Sequence, residues 1–199
     1  MQVAEVDLKV IAFEVLRELK PELNQQEIVT RVHQYPDVPN VWADPNQIAV
    51  ALKALVQNSI QAIHDVGGRV EIRLWRKSVQ SVGISVRDNG VGIDERAKKH
   101  LFDPFFSGRE AGRGLGFGLS KAWAILKRMH EGEIRLVDSV GGPGLEDNTL
   151  QSIGAFAGVA IGGATFEISL PISLHRPKAV QPERPSLETP VEINLRDAA

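Results

Sequence analysis

The 199-residue chain has no cysteine, which excludes a disulfide framework and any thiolate-held zinc or iron–sulfur site. It has no excess of either charge: 23 Lys and Arg face 25 Asp and Glu. The resulting formal charge of −2 gives no whole-chain reason to bind nucleic acid or an anionic membrane. No apolar run is long enough to span a bilayer, and Met1-Gln-Val-Ala-Glu5 lacks the basic-then-apolar start of a signal peptide. A soluble, cytoplasmic chain with no direct membrane contact is expected, and an anchor elsewhere in a longer protein is left open. Internal repeats are absent too. What the chain does have is 43% hydrophobic residues, enough to fill the core of one ordinary domain.

Apolar residues at Leu8, Ile11, Ala12, Val15, Leu16 and Leu19 predict a helix over 8–20, ended by Pro21. Residues 27–33 alternate as a strand, and the turn-rich Tyr35-Pro-Asp-Val-Pro39 follows. Asp44-Pro45 reads as an N-cap with proline at the first helical position. The helix it starts carries Ile48, Ala51, Leu52, Leu55, Ile60 and Ile63 and stops by Gly67-Gly68. Residues 69–75 and 82–87 alternate as paired strands of a sheet with one wet face, and 89–115 is loop-rich. A further helix runs through Leu119, Trp123, Leu126 and Met129, and 133–137 and 164–170 are the last strands. Residues 138–162, rich in Gly, Ala and Ser, form an inserted hairpin or loop. The Pro-rich stretch 173–199 is expected to be disordered. The pattern predicts an α+β domain over 1–172: two layers, a mixed sheet covered on one face by helices.

Four blocks carry chemistry. Asn58 lies on the helix begun by Asp44, where its amide oxygen suits Mg²⁺ or where it is simply an exposed helical Asn. Asp88-Asn-Gly90-Val-Gly92-Ile93 follows a strand. A carboxylate there can accept the exocyclic amine of adenine while glycine lets the ring come close, although Asp-Asn-Gly is also good turn chemistry. Leu101-Phe102-Asp-Pro-Phe105-Phe106 reads as a hydrophobic anchor or core cluster, and Ser107 and Arg109 follow it, where a closing loop could bring a hydroxyl and a cation to phosphate or leave both facing solvent. Gly112, Gly114, Gly116 and Gly118 alternate with large residues and then give way to a helix, so amides and a helix start can face phosphate. That run is no Walker A loop, since no Gly-Lys-Ser/Thr closes it.

With these blocks in order, residues 41–171 resemble the catalytic ATP-binding domain of bacterial two-component sensor histidine kinases. That superfamily also contains gyrase, the heat-shock chaperone ATPases and the mismatch-repair ATPases. Leu55-Val-Gln-Asn58-Ser-Ile-Gln61-Ala62 looks like its N box, 88–93 its G1 box, 101–106 its F box and 114–119 its G2 box. Residues 163–171 look like its closing strand. The resemblance implies a mostly antiparallel sheet and an ATP pocket between helices under a mobile lid at 107–114. In it Asn58 holds Mg²⁺, Asp88 reads the adenine amine, and Gly90, Gly92 and Ile93 shape the slot. Ser107, Arg109, Gly112, Arg113, Gly114, Leu115, Gly116, Phe117, Gly118 and Leu119 form the phosphate-facing lid and helix start. Thr165 joins Asp88 at the adenine, directly or through water, and Arg109 and Gln61 stand where relatives often have cations. The implied partners are a dimerisation domain bearing the phosphoacceptor histidine and a response regulator.

Three positions depart from the family pattern. Ala54 occupies the position where hydrolysing relatives carry the water-activating Glu, which argues against efficient ATP hydrolysis. Leu115 replaces a common Thr and Gln61 a common cation. The five histidines, His33, His64, His100, His130 and His175, read as surface or strand residues, and none sits in a phosphoacceptor setting. The chain is accordingly expected to be a catalytic domain cut from a longer kinase. Alternatives from other classes are a non-catalytic nucleotide-binding regulator, a serine kinase of the anti-sigma type and an ATP-driven clamp.

Overall fold

The computed structural model describes residues 2–64, 67–93, 95–106, 116–137 and 163–172. The segments expected as an insert (138–162), a tail (173–199) and a lid (107–114) lie outside them. Strand β1 (Ala4–Val6) leads into helix α1 (Leu8–Glu18), which Asp7 caps by accepting the Lys9 N–H at 2.8 Å. Pro21 does not simply end this helix. It sits in the first turn of a second one, α2 (Lys20–Gln25), where its missing N–H has no partner to lose.

Strand β2 (Val29–Gln34) starts later than its alternation suggests, because Glu27 adopts φ +52 and turns the chain. The lead-in at Val41–Ala43 is itself a strand, β3, paired antiparallel with β1. Helix α3 (Pro45–Ala62) begins where Asp44 accepts the N–H groups of Asn46 at 3.1 Å and Gln47 at 3.3 Å. Its buried stripe is Ile48, Ala51, Leu52, Leu55, Val56, Ser59 and Ile60.

Strands β4 (Arg69–Arg76) and β5 (Ser81–Asp88) form the expected antiparallel pair. The loop-rich region holds one short helix, α4 (Glu95–Lys98). Helix α5 (Gly118–Ala124) widens into a π-helical turn over Ile125–Met129. Strands β6 (Glu133–Val137) and β7 (Thr165–Pro171) complete a five-stranded sheet ordered β2-β4-β5-β7-β6. Only the β2–β4 pair is parallel. The sheet is therefore mixed and mostly antiparallel, as expected.

Val70, Ile72, Leu74, Val82, Ile84, Val86, Phe166, Ile168 and Leu170 join the α1 and α3 stripes in one apolar core. The opposite face is polar. Register places Arg73, Ser85, Glu167 and Arg135 in one row across it. Arg135 meets both Glu167 oxygens at 3.0 and 2.9 Å, and Lys77 meets Oε1 at 2.8 Å. Glu167 thus stays nearly buried on the face away from the helices, its charge matched by two cations.

Candidate functional site

The core sheet delivers a carboxylate to the edge of α3. Asp88, the last residue of β5, is 3% exposed. Its Oδ1 accepts the N–H groups of Gly90 at 3.0 Å and Ala164 at 3.1 Å, and its Oδ2 accepts the Ser59 hydroxyl at 3.0 Å. Burial pushes the carboxyl upward from the usual aspartate range, while those donors and the charge of Arg87 pull it back without cancelling the rise. A buried carboxylate with a spare lone pair is a selective receptor for an amine or amide donor.

The glycines around it are there for room. A Cβ at Gly90 would lie 2.4 Å from the Ala62 carbonyl oxygen, and one at Gly163 would lie 2.1 Å from the carbonyl oxygen of Asp88. Val91 N–H bonds that same Ala62 oxygen at 3.0 Å, satisfying a free carbonyl at the end of α3. Asp-Asn-Gly is therefore not a hairpin turn. Asn89 instead clips the start of β4, accepting Arg69 N–H at 2.7 Å and donating to the Gly67 carbonyl at 3.3 Å. Gly92 takes φ +76 as the chain leaves the carboxylate, and Ile93 packs against the core.

Asn58 is half-buried on α3 and precedes Ser59, whereas Gln61 is exposed. Ala54 lies one turn before Asn58 on the same helix face, and its methyl would stand 3.9 Å from a Cβ at Gly118. That places the start of α5 beside the face bearing Asn58. Leu119 packs on the core, and Phe117 meets Phe105 edge-on with ring centroids 4.7 Å apart. Gly116 has φ +69 close against the carbonyl of Phe106. Of the phenylalanine cluster only Phe102 reaches the core. Phe105 is exposed, and Phe106 tilts against His100. Ser107, Arg109, Gly112, Arg113, Gly114 and Leu115 fall outside the described residues.

Two expectations need correction. Thr165 stands opposite Arg87 and Val137 in register, between Ala164 and Phe166, which face the core. Alternation puts Thr165 on the polar face of the sheet, away from Asp88, and the Ala164 backbone meets the carboxylate instead. His130 is neither a surface nor a strand residue. It is 8% exposed, its Nε2 accepts the Asp44 N–H at 3.1 Å, and its Nδ1 faces the Ile125 carbonyl at 3.0 Å. Its partners require the neutral ring with the proton on Nδ1. Sequence reasoning also passed over Ser59, although helical period alone puts this hydroxyl in the buried stripe, where it must find a partner.

Asp88 with Gly90 at one end of α3's last turns and Asn58 facing α5 at the other suit a ligand with an amine-bearing base and a phosphate tail. A single amide oxygen fits Mg²⁺, which keeps waters and phosphate oxygens as its other ligands. Among the described residues no group of three or more His, Asp or Glu could hold a metal alone. No described helix is long and apolar enough to cross a membrane.

Known proteins resemble this chain in sequence and in fold. Residues 43–174 match the family model described as histidine kinase-, DNA gyrase B-, and HSP90-like ATPase. The signal transduction histidine-protein kinase AtoS of Escherichia coli (strain K12) is 34% identical over 131 residues, 66% of this chain and 18% of AtoS. The chain thus spans less than a fifth of that relative. The catalytic domain of histidine kinase ThkA superimposes with a TM-score of 0.66 at 25% identity, covering 86% of this chain and 99% of that one. A structure of ThkA in complex with the response regulator protein TrrA matches with a TM-score of 0.63 at 23% identity. It covers 86% of this chain and 42% of that one.

Proposed function

We propose that this chain, which belongs to the histidine kinase-, DNA gyrase B- and HSP90-like ATPase family, is the Mg-ATP-binding catalytic domain of a sensor histidine kinase acting in the cytoplasm. It passes the γ-phosphoryl of ATP to a histidine on a separate dimerisation domain, from which a response regulator takes it. The observation that carries the reading is Asp88: buried, bonded by Ser59, Gly90 and Ala164, and keeping one acceptor for an adenine amine. The likeness to AtoS and ThkA supports the kinase assignment, and the ThkA–TrrA complex supports the response-regulator partner.

In the transfer a neutral imidazole nitrogen attacks the γ-phosphorus, a nitrogen–phosphorus bond forms, and the bond to the bridging oxygen breaks as ADP leaves. The imidazole needs no base to become nucleophilic. Mg²⁺, held from the protein by Asn58, would neutralise phosphate charge; Asp88 orients the base so that the tail runs along α3 towards α5. Arg109 and the glycine-run amides are the proposed phosphate donors. Ala54, close against Gly118, supplies no carboxylate base to activate water, so the isolated domain should hydrolyse ATP poorly.

Labelled ATP should leave the chain unphosphorylated alone and phosphorylate an added dimerisation domain. Vigorous stand-alone hydrolysis, abolished in Asn58→Ala, would point to an ATP-driven clamp. Calorimetry should show ATP and ADP binding weakened by EDTA. GTP should bind far worse, because its ring turns a carbonyl towards Asp88.

A further inference from the structure

Each carboxylate oxygen of Asp88 has two lone pairs. Gly90 and Ala164 N–H groups occupy both on Oδ1, whereas the Ser59 hydroxyl takes one on Oδ2. One acceptor position is left. We propose that Ser59 is a positioning residue for base recognition: its hydroxyl fixes Oδ2 so that the single remaining lone pair is presented to the amine of the incoming adenine. The inference rests on the ATP-binding reading above and assigns its specificity to a residue that does not itself touch phosphate or metal.

Three observations converge on Ser59. It is 0% exposed and points into the helix–sheet interface, so its hydroxyl is committed to Asp88 and not to solvent. Ala164 has no hydroxyl, and Thr165 lies on the other face of the sheet. Among the described residues Ser59 is therefore the only side-chain hydroxyl bonded to this carboxylate. It is also held on an 18-residue helix capped at its start by Asp44, so its position varies little. Adjacent helical residues diverge by about 100°, which lets Asn58 face the phosphate end while Ser59 turns to the base end. One peptide unit of α3 thus links the two halves of the site.

The test separates the amine from the rest of the nucleotide. Calorimetry on the full chain with Mg²⁺ compares ATP with purine riboside triphosphate, which has hydrogen in place of the amine. Ser59→Ala should weaken ATP about ten-fold, the value of one buried hydrogen bond, and leave the amine-free nucleotide unchanged. Ser59→Cys, a weaker donor of similar size, should fall between wild type and Ser59→Ala, and it carries the comparison if the alanine variant does not fold. Equal weakening of both nucleotides, or no weakening of ATP, overturns the inference while leaving ATP binding intact. A wild-type chain that binds no ATP overturns the functional reading itself.

Discussion

Asp88 is a residue that the folded protein keeps at a cost. Burial raises its carboxyl above the ordinary 3.8, so the charged form is less at ease in the folded chain than in the unfolded one. The group's relative contribution is fully present below 3.8 and declines as pH rises through the raised value. Asp88→Asn removes that penalty. The amide oxygen can still accept from Gly90 and Ala164, and the amide nitrogen can donate to Ser59 once its hydroxyl rotates. The variant should melt no lower than wild type at pH 7, yet bind ATP more weakly by about 1–3 kcal/mol, a hydrogen bond to a charged group. A large drop in melting temperature together with lost binding would mean that Asp88 is structural first. His130 makes the opposite case. Its ring holds the Asp44 N–H and the Ile125 carbonyl, so His130→Ala should lose about 1–3 kcal/mol in a urea melt. His33→Ala, on an exposed strand position, should stay within about 0.5 kcal/mol.

At the scale of elements, the glycines divide into those the fold needs and those it does not. Gly90→Ala drives a methyl into the Ala62 carbonyl, which cannot retreat without unwinding the end of α3, so both stability and ATP binding should fall. Gly118→Ala meets nothing closer than 3.9 Å and lies at the start of α5. Stability should hold or rise by up to about 1 kcal/mol from helix propensity. A loss of ATP affinity without a loss of stability would show that a side chain there obstructs phosphate. The elements also show where sequence reading reached its end. Asp44, the α3 stripe and the alternation of β4 and β5 were legible because caps and periods are local signals. Strands β1 and β3 and helix α4, at three or four residues, are too short to show a period. Thr165 was misplaced because which side of β7 faces Asp88 depends on register with β5, and the block at 163–166 offers both a threonine and an alanine. His130 was unreadable because its partner, Asp44, lies 86 residues earlier.

For the whole molecule the decisive feature is the sheet order. Strand β7 is the last described strand in sequence but sits between β5 and β6, and the residue just before it, Ala164, donates its N–H to Asp88. Without it β6 has no neighbour among the described strands, and the apolar faces of β5 and α3 lose Phe166, Ile168 and Leu170. A chain ending at 137 should therefore show no cooperative melt, and adding residues 163–172 as a separate peptide at high concentration should recover some of it. The same order sets a clock on biosynthesis. As the ribosome releases the chain from its amino end, α1, α3 and the β4–β5 pair emerge early and must wait with an uncovered edge until β7 appears. Asp88 is made well before the Ala164 amide that completes its shell. The four-block pocket is therefore complete only after the strand that follows Ala164 has left the exit tunnel.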